Sequence, residues 1–254
     1  MAGRKEAALV CYVVAGYPDM KATEEAVDLL VAGGADIIEL GIPFSDPIAD
    51  GPTIQQASNA ALQAGVTPEK AMQLAKRIRK KHPALPILFM TYSNILVHAG
   101  FEQFLEKSKQ SGVDGFILPD MPVEEAGQYS ALAEKQGLAT VFLASPNTSK
   151  ERLQKIIDRS SGFMYLVSVF GITGARKSFE GYTQDAIKRS KKLAAGKLPV
   201  GVGFGISKPE HARFMVGAGA DAIIVGSAIV NKISNGKTAE LKALAASLKK
   251  ACRK

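Results

Sequence analysis

The sequence predicts an α/β protein of the TIM-barrel class, a single-domain (β/α)8 barrel over residues 1–254. Short, almost continuously apolar segments alternate with longer amphipathic ones along the whole chain, in eight pairs. A length of 254 residues is typical of this barrel. A Gly-x-Asp lead-in also recurs before three strands, at residues 34–36, 112–114 and 219–221. An open, doubly wound sheet is the alternative.

The eight predicted strands share an apolar composition and lack polar–apolar alternation. This composition is typical of parallel strands that are covered on both faces. In a barrel, helices cover the outer face and packed side chains fill the interior. The predicted strands are Ala8–Val14, Asp36–Leu40, Pro86–Thr91, Gly115–Leu118, Ala139–Leu143, Met164–Val169, Val200–Gly203 and Ala222–Val225.

The segments between the strands have the periodic apolar faces of helices. Thr67-Pro68 places an N-cap hydroxyl and a proline where a helix begins. Glycines such as Gly33 and Gly137 stand where helices are expected to end. The predicted helices are Lys21–Ala32, Pro68–Lys81, Phe101–Gln110, Val123–Gln136, Lys150–Asp158, Thr183–Leu193, Pro209–Val216 and Lys237–Lys250.

The composition argues against several classes of protein. With 46% hydrophobic and 22% charged residues, disorder is not expected. The net charge of +8 lies mainly at helix positions without interleaved aromatic residues, which argues against nucleic-acid binding. No apolar run is long enough to span a membrane, and the three histidines lack metal-ligand spacing. Cys11 and Cys252 are expected to be free thiols in the cytoplasm.

The most informative segment begins at the end of the second predicted strand. Glu39 stands at its carboxyl end, where a barrel presents residues to the active-site face. Partial desolvation there raises the pKa of a carboxyl group and suits it to acid–base catalysis. Pairing with a lysine at the barrel rim is the alternative. The rigid loop that follows, rich in proline and glycine, brings a second carboxylate, Asp50, to flank the same substrate.

Glycine-bearing turns follow the last three predicted strands. They are Gly171-Ile172-Thr173-Gly174, Gly203-Phe204-Gly205-Ile206 and Gly226-Ser227. Glycine lets backbone N–H groups approach an anion, and a short helix over Ser227–Ile233 would add the positive end of its dipole. Their joint placement favours a phosphate site over plain strand–helix turns, because barrels commonly bind phosphate there.

The run from Glu39 to Gln55, ELGIPFSDPIADGPTIQ, resembles almost letter for letter the signature of tryptophan synthase α subunits. Further matches occur at residues 15–18 (AGYP), 90–94 (MTYSN), 119–125 (PDMPVEE), 171–174 (GITG) and 203–206 (GFGI). The resemblance covers essentially the whole chain. It implies a lyase of tryptophan biosynthesis that cleaves indole-3-glycerol phosphate into indole and glyceraldehyde 3-phosphate by a retro-aldol reaction.

The resemblance also implies roles for individual residues. Glu39 would be the catalytic acid–base, and Asp50 would bind the indole nitrogen. Tyr165 would hydrogen-bond near Glu39, although a core tyrosine with a satisfied hydroxyl fits its position equally well. The residues assigned to the substrate phosphate are Gly174, Gly205, Gly226 and Ser227.

The indole ring needs a flat apolar slot. Its candidate walls lie on or just after strands, where plain barrel packing is the competing interpretation. These candidates are Tyr12, Met90, Tyr92, Ile117 and Phe204. The polar segment Gly171–Gly181 carries three glycines and predicts a lid over bound substrate, with Thr173, Arg176 and Lys177 as lid residues.

The resemblance further implies a partner. Members of this family pass indole to a separate β subunit that carries pyridoxal phosphate. An α2β2-type assembly is therefore expected, and this chain is expected to bind no cofactor. The Pro119–Glu125 stretch and the Ile42–Thr53 loop would contact that subunit. Ser168-Val169-Phe170 departs from the family pattern, so lid contacts are expected to differ. The short segment before the first strand leaves the barrel floor with little expected cover.

Two other functions stay open from the sequence. A different barrel enzyme acting on a phosphorylated metabolite would share the glycine-rich turns but not the loop from Glu39 to Asp50. A barrel that only activates a β subunit would stimulate its partner without cleaving any substrate itself.

Overall fold

The computed structural model describes residues 6–168 and 176–253. Within these ranges, parallel strands form one nine-stranded sheet. The strands are β1 Ala8–Val14, β2 Ile37–Gly41, β3 Ile87–Met90, β4 Gly115–Ile117, β5 Ala139–Val141, β6 Leu143–Ala144, β7 Met164–Val167, β8 Val200–Gly203 and β9 Ala222–Val225. Each overlaps a predicted strand, and β1, β8 and β9 have the predicted bounds.

The sheet closes on itself through one interrupted strand. The strand order is β5-β4-β3-β2-β1-β9-β8-β7-β6, so β5 and β6 stand at its two ends. These two segments are halves of a single predicted strand and are separated by Phe142 alone. The Tyr165 N–H bonds to the Phe142 carbonyl at 3.0 Å and continues the pairing across the break. The prediction of a closed barrel is therefore confirmed over the open sheet.

The described residues also contain helices that cover the barrel. They are α1 Met20–Ala32, α2 Pro52–Gln63, α3 Pro68–Lys81, α4 Ser93–Ala99, α5 Phe101–Gln110, α6 Gly127–Lys135, α7 Lys150–Arg159, α8 Arg176–Ala194, α9 Pro209–Gly217, α10 Ser227–Ser234 and α11 Leu241–Ala251, with a 3-10 helix at Thr238–Glu240. The Thr67 hydroxyl accepts from Lys70 N–H as predicted for α3. No helix in these ranges is long and apolar enough to cross a bilayer.

Several helical segments differ from the prediction. Helices α2 and α4 were not predicted, α6 begins four residues after the predicted Val123, and α8 begins seven residues before the predicted Thr183. In α2 a sequence signal was present, because Gly51 is the N-cap and Pro52 occupies the first helical turn. That signal lay inside a loop whose three prolines pointed to an irregular backbone.

Side chains of each strand divide between two apolar clusters. On β1, Leu9 and Val13 pack outward against the helices, while Val10 and Tyr12 point into the barrel. The same alternation places Ile38 and Leu40 of β2 in the outer cluster and Ile37 in the inner one. Glu39, between Ile38 and Leu40, therefore points into the barrel.

The recurring Gly-x-Asp lead-in has a structural role at the amino ends of the strands. Each aspartate accepts a hydrogen bond from a backbone N–H at the start of the neighbouring strand. It also binds a cationic side chain from a covering helix. For Asp36, Asp114 and Asp221 these partners are Leu9 and Lys249, Ile87 and Arg79, and Val200 and Lys191. The repeat thus fixes strands and helices at the floor of the barrel.

Tyr129 of α6 is a buried phenol whose hydroxyl has no hydrogen-bond partner among the described residues. Its ring packs edge-on against Phe142 at 6.3 Å. Because an unsatisfied buried hydroxyl costs about 1–3 kcal/mol, Tyr129→Phe is expected to raise the free energy of unfolding by about 1 kcal/mol. Urea denaturation measures the change. Tyr182→Phe, at a side chain 44% exposed, should leave the midpoint unchanged. A lower midpoint for Tyr129→Phe would contradict the prediction.

Candidate active site

A cavity of about 270 Å³ lies at the carboxyl ends of the strands. It brings together nine residues that the sequence analysis assigned to the site. They are Tyr12, Glu39, Asp50, Met90, Tyr165, Phe204, Gly205, Gly226 and Ser227. The cavity therefore joins the predicted acid–base end to the predicted phosphate end.

Glu39 is the most deeply buried charged group of this cavity. Its side chain is 1% exposed, and its Oε2 atom has no hydrogen-bond partner among the described residues. Burial, and secondly the charge of Asp50, raise the pKa of Glu39 to about 8. Glu39 is therefore largely protonated at neutral pH and able to donate a proton. The predicted rise in its pKa is confirmed, and no described ion pair joins it to a lysine at the rim.

Asp50, which lines the same cavity as Glu39, is in the other protonation state. Burial raises the pKa of Asp50 to about 6, and a hydrogen bond from the Tyr92 hydroxyl opposes that rise. The Tyr92 hydroxyl donates to Asp50 Oδ2 at 2.9 Å. Asp50 is consequently ionised at pH 7, while Glu39 is protonated. Acid–base catalysis uses two carboxyl groups whose pKa values differ in this way.

Two tyrosines of the cavity lie over glycines of the neighbouring strands. A Cβ atom at Gly41 would come within 2.2 Å of the Tyr12 hydroxyl, and one at Gly203 within 2.2 Å of the Tyr165 hydroxyl. These strand ends therefore require glycine. Burial, followed by nearby carboxylates, raises the pKa of both tyrosines, so both hydroxyls stay protonated.

Tyr165 forms a wall of the cavity. Its ring lies edge-on to Phe204 with ring centroids 6.0 Å apart. The resemblance implied a hydrogen bond near Glu39, but no described hydrogen bond joins the two side chains. Both side chains nevertheless line the same cavity, and the charge of Glu39 contributes to the raised pKa of Tyr165.

The other end of the cavity presents backbone suited to an anion. Phe204 and Gly205 have φ of 72° and 71°. This conformation is strained for Phe204 and is typical of functional sites. Helix α10 begins at Ser227 after the N-cap Gly226, and no side chain caps it. The first N–H groups of a helix have no intrahelical acceptor, so this end of α10 is available to a phosphate. The predicted short helix is confirmed.

Two of the predicted indole-pocket residues do not line this cavity. Ile117 is fully buried in the inner apolar cluster. Tyr92 is the N-cap of α4, so the chain has already turned away from β3. Its ring stacks on Phe44 at 5.0 Å instead. Tyr12, Met90 and Phe204 do line the cavity.

Several residues that line the cavity were given no role from the sequence. They are Gly51, Ile54, Ile206, Ser207, Ile224, Ala228 and Asn231. A signal was available for Gly51 and Ile54, which lie in the same run as Glu39 and Asp50. Ile224 could have been found from the alternation along β9. No feature of the sequence distinguished Asn231.

Several predicted residues lie outside the described ranges. Thr173 and Gly174 are among residues 169–175. Arg176 and Lys177 begin the backbone of α8. The lid therefore stays a prediction. In the described ranges, no three His, Cys, Asp or Glu residues are grouped to hold a metal ion.

Comparisons with known proteins agree on one family. The family model for the tryptophan synthase alpha chain matches residues 1–254. A tryptophan synthase alpha chain from Methanosarcina barkeri is 48% identical over 248 residues, 97% of this chain and 92% of the relative. A chain of the tryptophan synthase a2b2 complex from Pyrococcus furiosus is 42% identical with a TM-score of 0.89, covering 96% of this chain and 98% of that one. A chain of tryptophan synthase from M. tuberculosis is 34% identical with a TM-score of 0.88, covering 98% of this chain and 94% of that one.

Proposed function

This chain belongs to the tryptophan synthase alpha chain family, and we propose that it cleaves indole-3-glycerol phosphate into indole and glyceraldehyde 3-phosphate. The observation that carries the proposal is the pair of carboxyl groups in one cavity, with pKa values of about 8 for Glu39 and about 6 for Asp50. Between these values one group holds a proton and the other is an anion. Residues 1–254 are proposed to act as one catalytic domain.

In the proposed reaction, Glu39 serves both proton transfers. Protonated Glu39 gives its proton to C3 of the indole ring, and the ring nitrogen becomes positively charged. The Glu39 carboxylate then takes the proton of the hydroxyl on the adjacent carbon. The bond between that carbon and C3 breaks, its electron pair returns to the ring, and the hydroxyl carbon becomes the aldehyde. Glu39 ends as it began, protonated.

Asp50 stabilises the charge that builds up in this sequence. Its carboxylate accepts a hydrogen bond from the ring N–H and lies beside the positive charge of the protonated ring. Its raised pKa of about 6 still leaves it ionised at neutral pH. The Tyr12, Met90 and Phe204 side chains, which line the same cavity, would hold the flat ring.

The substrate phosphate is proposed to bind at Gly205, Gly226 and Ser227, with Gly174 as a fourth contact. Ser227→Asp is expected to raise KM for indole-3-glycerol phosphate at least about tenfold, because a carboxylate would occupy the anion site at the start of α10. Ser227→Ala keeps the backbone N–H groups and should change KM only a few-fold. Steady-state kinetics distinguishes the two. Equal KM values in Ser227→Asp and the wild type would refute this assignment.

The experiment that tests the function is an assay of indole release from indole-3-glycerol phosphate, with and without the β subunit. The wild type is expected to release indole, and Asp50→Asn to release it much more slowly. If no indole appears under either condition and the β subunit is not stimulated, a different phosphorylated metabolite is the substrate. If the chain stimulates the β subunit but releases no indole, it is an activator only.

The proposed partner is the β subunit of tryptophan synthase, in an α2β2-type assembly. The Ile42–Thr53 loop and the Pro119–Glu125 stretch are the proposed contact regions. Ile48 in the first is 81% exposed, an unusual position for a large apolar side chain on a free surface.

Partner binding is expected to accelerate the cleavage. The isolated chain should release indole more slowly than the complex by about 5- to 150-fold, the usual range of coupling between sites, because the partner would contact the Ile42–Thr53 loop, which bears Asp50. Turnover is measured while the β subunit is titrated in. Full activity of the isolated chain would contradict this coupling.

The chain is proposed to need no cofactor, since pyridoxal phosphate would belong to the β subunit. Exhaustive dialysis of the chain before the assay should leave its own turnover unchanged. The proposed location is the cytoplasm, where the two free thiols, Cys11 and Cys252, would remain reduced.

A further inference from the structure

The Tyr92 hydroxyl joins two consecutive residues of the loop that carries Asp50. It donates to Asp50 Oδ2 at 2.9 Å and accepts from the Ala49 backbone N–H at 3.2 Å. Tyr92 is 3% exposed, and its ring stacks on Phe44, which belongs to the same loop. The tyrosine thus contacts the loop at three residues and fixes the direction of the Asp50 carboxylate.

The backbone that carries Tyr92 is itself held by a carboxylate from another strand. Asp120, which follows β4, accepts from the Ser93 N–H at 2.9 and 3.1 Å and from the Ser93 hydroxyl at 2.6 Å. Ser93 is the first residue of α4, and Tyr92, the N-cap, makes no side-chain capping bond. Asp120 therefore caps α4 from outside the helix.

We propose that Tyr92 is a positioning residue for Asp50, and that Asp120 keeps Tyr92 in place through Ser93. The inference rests on the proposed function, since Asp50 acts in the reaction only if indole-3-glycerol phosphate is the substrate. Tyr92 does not line the cavity in the described residues, so it acts on the substrate through Asp50.

The hydrogen bond also favours the ionised form of Asp50. A donor to a carboxylate opposes the rise that burial imposes on its pKa, and Tyr92 is that donor. Among the described side chains, the other titratable groups that interact with Asp50 are Glu39, Tyr12 and Tyr165. Both tyrosines stay neutral because burial raises their pKa, and Glu39 stays protonated below about pH 8. The acid limb of the activity profile therefore reports on Asp50.

The test uses Tyr92→Phe in the complex with the β subunit. The variant keeps the ring and its stacking on Phe44 but loses the hydroxyl. Because the variant loses a donor to a charged carboxylate, kcat for indole release is expected to fall about 10- to 100-fold while KM changes less than about threefold. The acid limb, expected near pH 6 in the wild type from the pKa of Asp50, is expected to move to higher pH in the variant.

Two further variants separate positioning from a loss of structure. Ser93→Ala removes one of the bonds to Asp120 and should lower kcat in the same direction by a smaller factor. Tyr129→Phe removes a buried phenolic hydroxyl that has no partner in the described residues, and it should leave kcat and the acid limb unchanged.

Each result decides between the inference and its premise. If the wild type releases no indole, the proposed function has failed. If the wild type is active, Asp50→Asn is impaired and Tyr92→Phe matches the wild type in kcat and pH profile, the function stands and the positioning role is overturned. A fall in kcat that accompanies a lower Tm without any movement of the acid limb also overturns it.

Discussion

Replacing Glu39 with glutamine is expected to lower kcat for indole release by about 10²- to 10⁴-fold, the contribution of a general acid–base group. Glutamine has the same size and fits the same buried position, but it cannot give a proton to C3 or take one from the hydroxyl. Because Glu39 is proposed to act in both transfers, the loss should appear in kcat more than in KM. Single-turnover assays of indole release measure it.

The matched control is Glu134→Gln, an identical change at an exposed position of α6. It should retain the activity of the wild type. A coupled enzyme that consumes the aldehyde product and converts a pyridine nucleotide gives an independent readout of cleavage. If Glu39→Gln kept more than about a tenth of the wild-type kcat, a proton-transfer role for this carboxyl group would be excluded.

The strands were predictable because burial on both faces leaves a continuous apolar run. That pattern located β1, β8 and β9 to the residue. It did not locate the break at Phe142, where the chain exchanges one neighbouring strand for the other. A change of backbone hydrogen-bond partner leaves side-chain composition unchanged, so the sequence carries no trace of it.

The carboxyl pair was predictable because Glu39 and Asp50 lie in one run at the end of one strand. The role of the Tyr92 hydroxyl was not. The sequence placed Tyr92 just after β3 and predicted a wall of the cavity. The actual direction of the side chain depends on the turn into α4, a helix that was not predicted, and on Asp120, which follows the neighbouring strand. Such contacts depend on tertiary structure and have no local signal.

Glu39→Gln is also expected to make the protein more stable at alkaline pH. The pKa of Glu39 rises from 4.5 to about 8 on folding, chiefly because of burial. Between these values the folded chain holds a proton that the unfolded chain has released, so the stability of the wild type falls as pH increases. At about 1.4 kcal/mol for each pKa unit, the rise sets an upper value of about 5 kcal/mol for the loss above pH 8. Glutamine does not ionise, so the variant does not lose this stability as pH increases.

Urea denaturation of both proteins from pH 5 to pH 9 measures this difference. Any cost of burying the glutamine amide is independent of pH, so only the widening of the gap reports on ionisation. Asp50→Asn should show the same sign over a lower window, from 3.8 to about 6, because burial raises its pKa too. Parallel stability curves for Glu39→Gln and the wild type would mean that the Glu39 carboxyl is not desolvated. In that case the group would be ionised at neutral pH, and it would have no proton to give to the indole ring.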